Sequence, residues 1–244
     1  MNKRLALILI ITLSLISVFT PSLFAKNNSS VRVIVGEVDN DNDFKFYCQY
    51  DTRWGNNPYD GRGRTIRSSG CGPASMAMLL ATYRLSAVPG SGKIATPETV
   101  ANVFTQKGWS WTSGNQTGCA NPDGCYGTKP LSIVDKNWLS SVGLKRAQSD
   151  IAGDGFPGEI LSTSKMRLAE NYTNSGWYLL AAISNWPSSS GGTIGHEVVV
   201  LNVNPSQQTI TVASPSDNCY STNFKRTVST RSLKFISLVP IKNK

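Results

Sequence analysis

Five cysteines and a single histidine are the groups in this chain best suited to nucleophilic chemistry. Cys71 stands in Gly70-Cys71-Gly72-Pro73-Ala74-Ser75-Met76-Ala77-Met78-Leu79-Leu80, a glycine-flanked cysteine that runs straight into an apolar stretch. Pro73 suits the first helical position, because its φ is already helical and its missing N–H would have no partner there. The residues after it are apolar nearly all round, which predicts a buried helix. A cysteine at that helix's mouth faces unpaired backbone N–H groups and the positive end of the dipole, which favour a thiolate. Gly70 and Gly72 leave room for another chain to approach the sulfur. The same stretch also suits a buried or disulfide-bonded structural cysteine, and the residues alone leave both readings open. His196 follows a glycine-rich loop and opens Gly195-His196-Glu197-Val198-Val199-Val200-Leu201. A thiol nucleophile needs a group that takes its proton and later returns it to the leaving group. By itself a lone histidine at a strand end is more often structural; beside a candidate thiol it becomes the expected general base. No G-x-S-x-G elbow offers a serine instead.

The other cysteines bear on Cys71. Residues 1–25 read as an export signal: Lys3 and Arg4, an apolar run over 5–18, and a small-residue region ending at Ala25. That run is short for a retained membrane span, and no other stretch is long enough to be one. An exported chain forms disulfides, and an odd count leaves at least one thiol free in a monomer. Cys119 and Cys125 flank a short polar loop and are placed to close a small ring; Cys48 and Cys219 remain as a long-range pair, with Cys71 left over. Zinc is disfavoured, because no two cysteines have zinc-finger spacing and there is one histidine; no cofactor is indicated. The formal charge is +9, or +7 without Lys3 and Arg4. It suits contact with anionic wall polymers or lipid head groups. The basic residues are scattered, which argues against nucleic acid.

The elements that must position these groups follow in order. Residues 26–45 form an N-terminal segment with a short strand at 31–38, and Asp39-Asn40-Asp41-Asn42-Asp43 reads as a solvated turn, since Phe44 stands where a calcium loop needs glycine. Helices are expected from Cys71, from Pro97 behind a Thr96 cap, over 131–141 and over 162–174. Strands are expected at 177–184, 196–203, 209–213 and 233–241. Helices in the first half and antiparallel strands in the second give an α+β fold with helices packed to one side of a sheet.

Gln49-Tyr50-Asp51-Thr52-Arg53-Trp54, Thr65-Ile66, Gly70-Cys71-Gly72-Pro73-Ala74-Ser75-Met76-Ala77-Met78, Thr96-Pro97-Glu98 and Gly195-His196-Glu197-Val198-Val199-Val200 together resemble the papain-like cysteine peptidases, in particular the double-glycine leader peptidases and their free-standing relatives. The similarity runs from about Phe46 to about Pro215, and implies a papain-like domain over 46–244. The resemblance implies Cys71 as nucleophile, His196 as general acid and base, and Gln49 with the Cys71 backbone N–H as oxyanion donors. Relatives carry Asp-Pro where this chain has Ser214-Pro215. Asp217 or Asn218 is then expected to orient the imidazole, with Ser214 as the alternative. The implied activity is peptide-bond hydrolysis by an exported or cell-surface enzyme acting on peptides or proteins. A wall-peptide amidase would use the same residues, and the loss of the aspartate at 214 also suits an inactive binding module. There are no transporter segments, so leader processing is not implied.

Overall fold

The computed structural model describes residues 44–61, 63–111, 127–153, 155, 157–187, 192–217, 219 and 223–244. The export signal, the strand at 31–38, the acidic turn, the Cys119/Cys125 ring and Asn218 lie outside the described residues.

Six strands make one sheet: β1 Leu144–Arg146, β2 Tyr178–Pro187, β3 Thr193–Asn204, β4 Thr209–Ala213, β5 Lys225–Ser229 and β6 Phe235–Asn243. Their spatial order is β1-β6-β2-β3-β4-β5, and every neighbouring pair is antiparallel. The two central strands carry Leu179-Leu180-Ala181-Ala182-Ile183 and Val198-Val199-Val200, apolar without alternation, and all of these residues are buried. Successive side chains on a strand point to opposite faces, so such runs require both faces to be covered. Leu180 lies opposite Val199 and Leu179 opposite Val200, so like faces meet across the pair.

Five helices supply the cover: α1 Ile66–Ser69, α2 Cys71–Thr82, α3 Pro97–Gln106, α4 Lys136–Ser141 and α5 Thr163–Asn174. Met76, Met78, Leu79 and Leu80 of α2 share a core with Leu180, Val199, Ala213, Val239 and Ile241. Met166 and Ala169 of α5 share a second core with Leu179, Ala181, Ile183, Val198 and Val200. Helices therefore cover both faces, which corrects the one-sided packing expected from the sequence. The reason lies in the strands themselves, which leave no polar face for water.

Local signals explain most boundaries. Thr96 caps α3 by accepting from the Thr99 backbone N–H, with Pro97 in the first turn. Helix α4 is shorter than the expected 131–141, because the Asp135 side chain accepts from the Trp138 N–H and starts the helix there. Helix α2 begins at Cys71, so Pro73 is its third residue rather than its first; the N–H groups of a first turn need no intrahelical partner, and proline is tolerated there. Among the described residues no helix is long and apolar enough to cross a membrane.

A Cys48–Cys219 disulfide ties the segment ahead of α1 to the turn after β4. The Gln49 backbone N–H donates to the Pro215 carbonyl at 2.9 Å and reinforces the same junction.

Candidate active site

Cys71 is the free cysteine among the described residues, and it is half-buried at the start of α2. Its thiol donates to Glu197 Oε2 at 3.3 Å. The helix is pinned to β3 one turn later, where the Ser75 hydroxyl donates to the Glu197 carbonyl at 2.9 Å. Gly72 makes the approach sterically possible: a Cβ there would collide with both the Thr128 hydroxyl and Glu197 Oε2. Thr128 is in turn hydrogen-bonded to the Tyr59 hydroxyl at 2.6 Å. Gly70 likewise has no room for a side chain, because Ile66 occupies the space. Both glycines thus serve the packing of the chain on itself, not the open approach to sulfur that the sequence suggested.

The electrostatics differ from a thiolate site. Burial pushes the Cys71 thiol well above its ordinary range, and the Glu197 carboxylate adds to this. The backbone N–H groups of Glu197 and Gly72 favour the anion without offsetting those two. A helix N-terminus is worth roughly 0.3–1 kcal/mol to a nearby anion at an exposed site, which burial beside a carboxylate outweighs. The expected thiolate is therefore replaced by a neutral thiol. Burial raises Glu197 to about 7, against the pull of the Cys71 thiol and the Thr128 hydroxyl. Glu197 Oε1 is buried with no hydrogen-bond partner among the described residues.

His196 is also buried, but its contacts lie elsewhere. Its Nε2 meets the Ser214 hydroxyl at 2.9 Å and the Ser216 hydroxyl at 3.1 Å. Its ring packs at 5.5 Å from that of Trp186, which belongs to the α5-side core. Burial lowers the imidazole to about 4; Asp217 works against this and Arg226 with it. The ring is consequently uncharged at neutral pH. Residues 196 and 197 are neighbours on a strand, so their side chains take opposite faces. Glu197 takes the α2 side, and no hydrogen bond joins Cys71 to His196. The thiolate–imidazolium pair expected from the sequence is thus not formed in this structure.

The remaining expected residues divide. Ser214 occupies the orienting position beside the imidazole, joined by Ser216, which sequence reasoning had not singled out. Asp217 instead pairs with Arg226 at 2.6 Å and reaches the ring only through space. Gln49 Nε2 donates to the Arg67 carbonyl at 2.8 Å, while its Oε1 is buried without a partner among the described residues. Its amide is thus engaged one helical turn before Cys71. Sequence reasoning also missed Glu197, Thr128 and Tyr59. A signal for Glu197 existed, since a carboxyl beside an unbroken Val-Val-Val run must be buried and needs a partner.

Among the described residues no group of three or more His, Cys, Asp or Glu could hold a metal ion. Neither a protein-family model nor a curated protein matches the chain.

Proposed function

We propose that this chain is an exported thiol hydrolase, most simply a cysteine peptidase of the papain-like type, with Cys71 as the nucleophile. One observation carries this reading: the free thiol among the described residues opens a buried helix and donates a hydrogen bond to a buried carboxyl poised near neutrality. Groups whose ionisation is shifted toward the working pH are those suited to proton transfer. In the proposed reaction the Cys71 sulfur attacks a peptide carbonyl, the amine leaves with a proton, and water releases the acid from the thioester. Peptides and proteins are the substrate class. The +7 charge of the chain without its leader suits substrates presented at an anionic wall or membrane surface. Wall peptides are the alternative substrate.

Parallel digestion of casein-derived peptides and of purified peptidoglycan separates the two substrates. Cys71→Ser should abolish turnover of whichever is cut, a loss of at least a hundredfold, with far-UV circular dichroism unchanged. Turnover that survives this substitution would require another nucleophile.

A second reading is favoured by the protonated thiol and by the serine hydroxyls that engage the imidazole: a binding module of the same fold, without catalysis. It requires that neither substrate is cut. It also requires Cys71→Ser to bind wall fragments as the native chain does.

A further inference from the structure

Among the described residues the thiol of Cys71 has one side-chain hydrogen-bond partner, and it is a carboxyl. The Sγ–Oε2 contact of 3.3 Å is made across a gap that Gly72 keeps open. Glu197 is 4% exposed, and its second oxygen has no hydrogen-bond partner among the described residues. A buried carboxyl with an idle oxygen is costly to keep unless something uses it. His196, by contrast, has its Nε2 between two serine hydroxyls and has no hydrogen bond to the sulfur.

We propose that Glu197, rather than His196, accepts the Cys71 proton as the sulfur attacks and returns it to the leaving group. The inference rests on the hydrolase reading and names the proton acceptor within it. In the first step the S–H bond breaks as the C–S bond forms, and the proton passes to Glu197 Oε2. As the C–N bond breaks, that proton moves to the departing amine. Water then attacks the thioester, gives one proton to Glu197, and the thiol is restored when that proton returns to sulfur. Atoms and charge balance over the cycle, and the net reaction is amide plus water to acid plus amine.

The groups facing Glu197 are few. Among the described residues Cys71 comes from α2 and Thr128 is uncharged; Tyr59, from the segment before α1, feels the Glu197 charge, and Asp60 lies near Tyr59. Tyr59 is held protonated well above its ordinary value by burial. Asp60 is committed to the backbone N–H groups of Arg64 and Gly127. Glu197 and Cys71 thus titrate as a pair, in two macroscopic steps. In the lower step Glu197 loses its proton, and the remaining proton stays on sulfur, hydrogen-bonded to the carboxylate that accepts it as the sulfur attacks. In the upper step the thiolate forms outright.

The experiment is the pH profile of Cys71 alkylation by chloroacetamide, followed by mass spectrometry on the full chain. The native profile should show two rises, the first near pH 7 to a plateau and the second in alkali. Glu197→Gln should lose the first rise, and its single rise should move to lower pH than the native upper one, because an anion beside the sulfur is gone. His196→Ala should keep both rises. A single rise in the native protein overturns the proposal without need of any variant. So does a first rise that survives Glu197→Gln or vanishes in His196→Ala. Two rises without hydrolysis of peptide or peptidoglycan would keep the proton pair and sink the hydrolase reading; hydrolysis with a single rise would do the reverse.

Discussion

Glu197 and His196 are adjacent in the chain and buried to the same degree, yet burial moves them in opposite directions. The native histidine is held at about 4 against an ordinary 6.5, so below 6.5 the unfolded chain takes a proton that the native one refuses. Its contribution to stability is present above pH 6.5 and is lost as the pH falls toward 4. The native glutamate sits at about 7 against an ordinary 4.5, so it keeps a proton that the unfolded chain releases. Its contribution is present below pH 4.5 and is lost as the pH rises through 7. Each amounts to about 3 kcal/mol over its window. Between pH 4.5 and 6.5 the native chain carries one proton more on Glu197 and one fewer on His196, and the two slopes cancel. Either substitution should unmask the other. Relative to the native protein, Glu197→Gln should gain about 3 kcal/mol between pH 4.5 and 7, and His196→Gln should gain about as much on acidification from 6.5 to 4. Urea unfolding at four pH values checks both; differences that stay constant with pH would contradict the assignment.

At the scale of elements, the test is at Gly72. Gly72→Ala drives a methyl group into Thr128 and Glu197, and should cost about 1–3 kcal/mol, read as a lower urea midpoint. Gly195→Ala is the control: open space surrounds that position, and the change should stay within about 0.5 kcal/mol. Elements with strong local signals were legible in the sequence. Helix α3 has its Thr96 cap, α2 its unbroken apolar run, and β2, β3, β4 and β6 their apolar cores. Three elements were not. Helix α1 is four residues long, β1 is three, and β5 reads Lys225-Arg226-Thr227-Val228-Ser229, an edge strand with little apolar content. The candidate site was legible in part. Counting required one free thiol in a monomer, and the expected Cys48–Cys219 pair, which is formed, leaves Cys71 free among the described residues. That residues 196 and 197 would face opposite ways followed from the two-residue period of a strand. Which of them would meet α2 did not follow, because that choice is made by how the strand lies against the helix. The same holds for the far face of the sheet, which α5 covers.

At the largest scale the Cys48–Cys219 bond is the covalent cross-link among the described residues, closing a sequence separation of 171 residues. It anchors the turn that holds Ser214 and Ser216 against the imidazole, with Cys219 two residues beyond Asp217. Replacing both cysteines with alanine should cost about 2–5 kcal/mol. For a chain of this size that is a fall in Tm of roughly 5–15 °C, measured by calorimetry. An unchanged Tm would mean that the bond stabilises nothing.

The same bond has a consequence for how damage to the protein would be noticed. If a peptide bond between residues 48 and 219 is cut, both pieces remain attached through sulfur. A nicked molecule would therefore migrate as one band on a gel until reductant is added, and only then come apart.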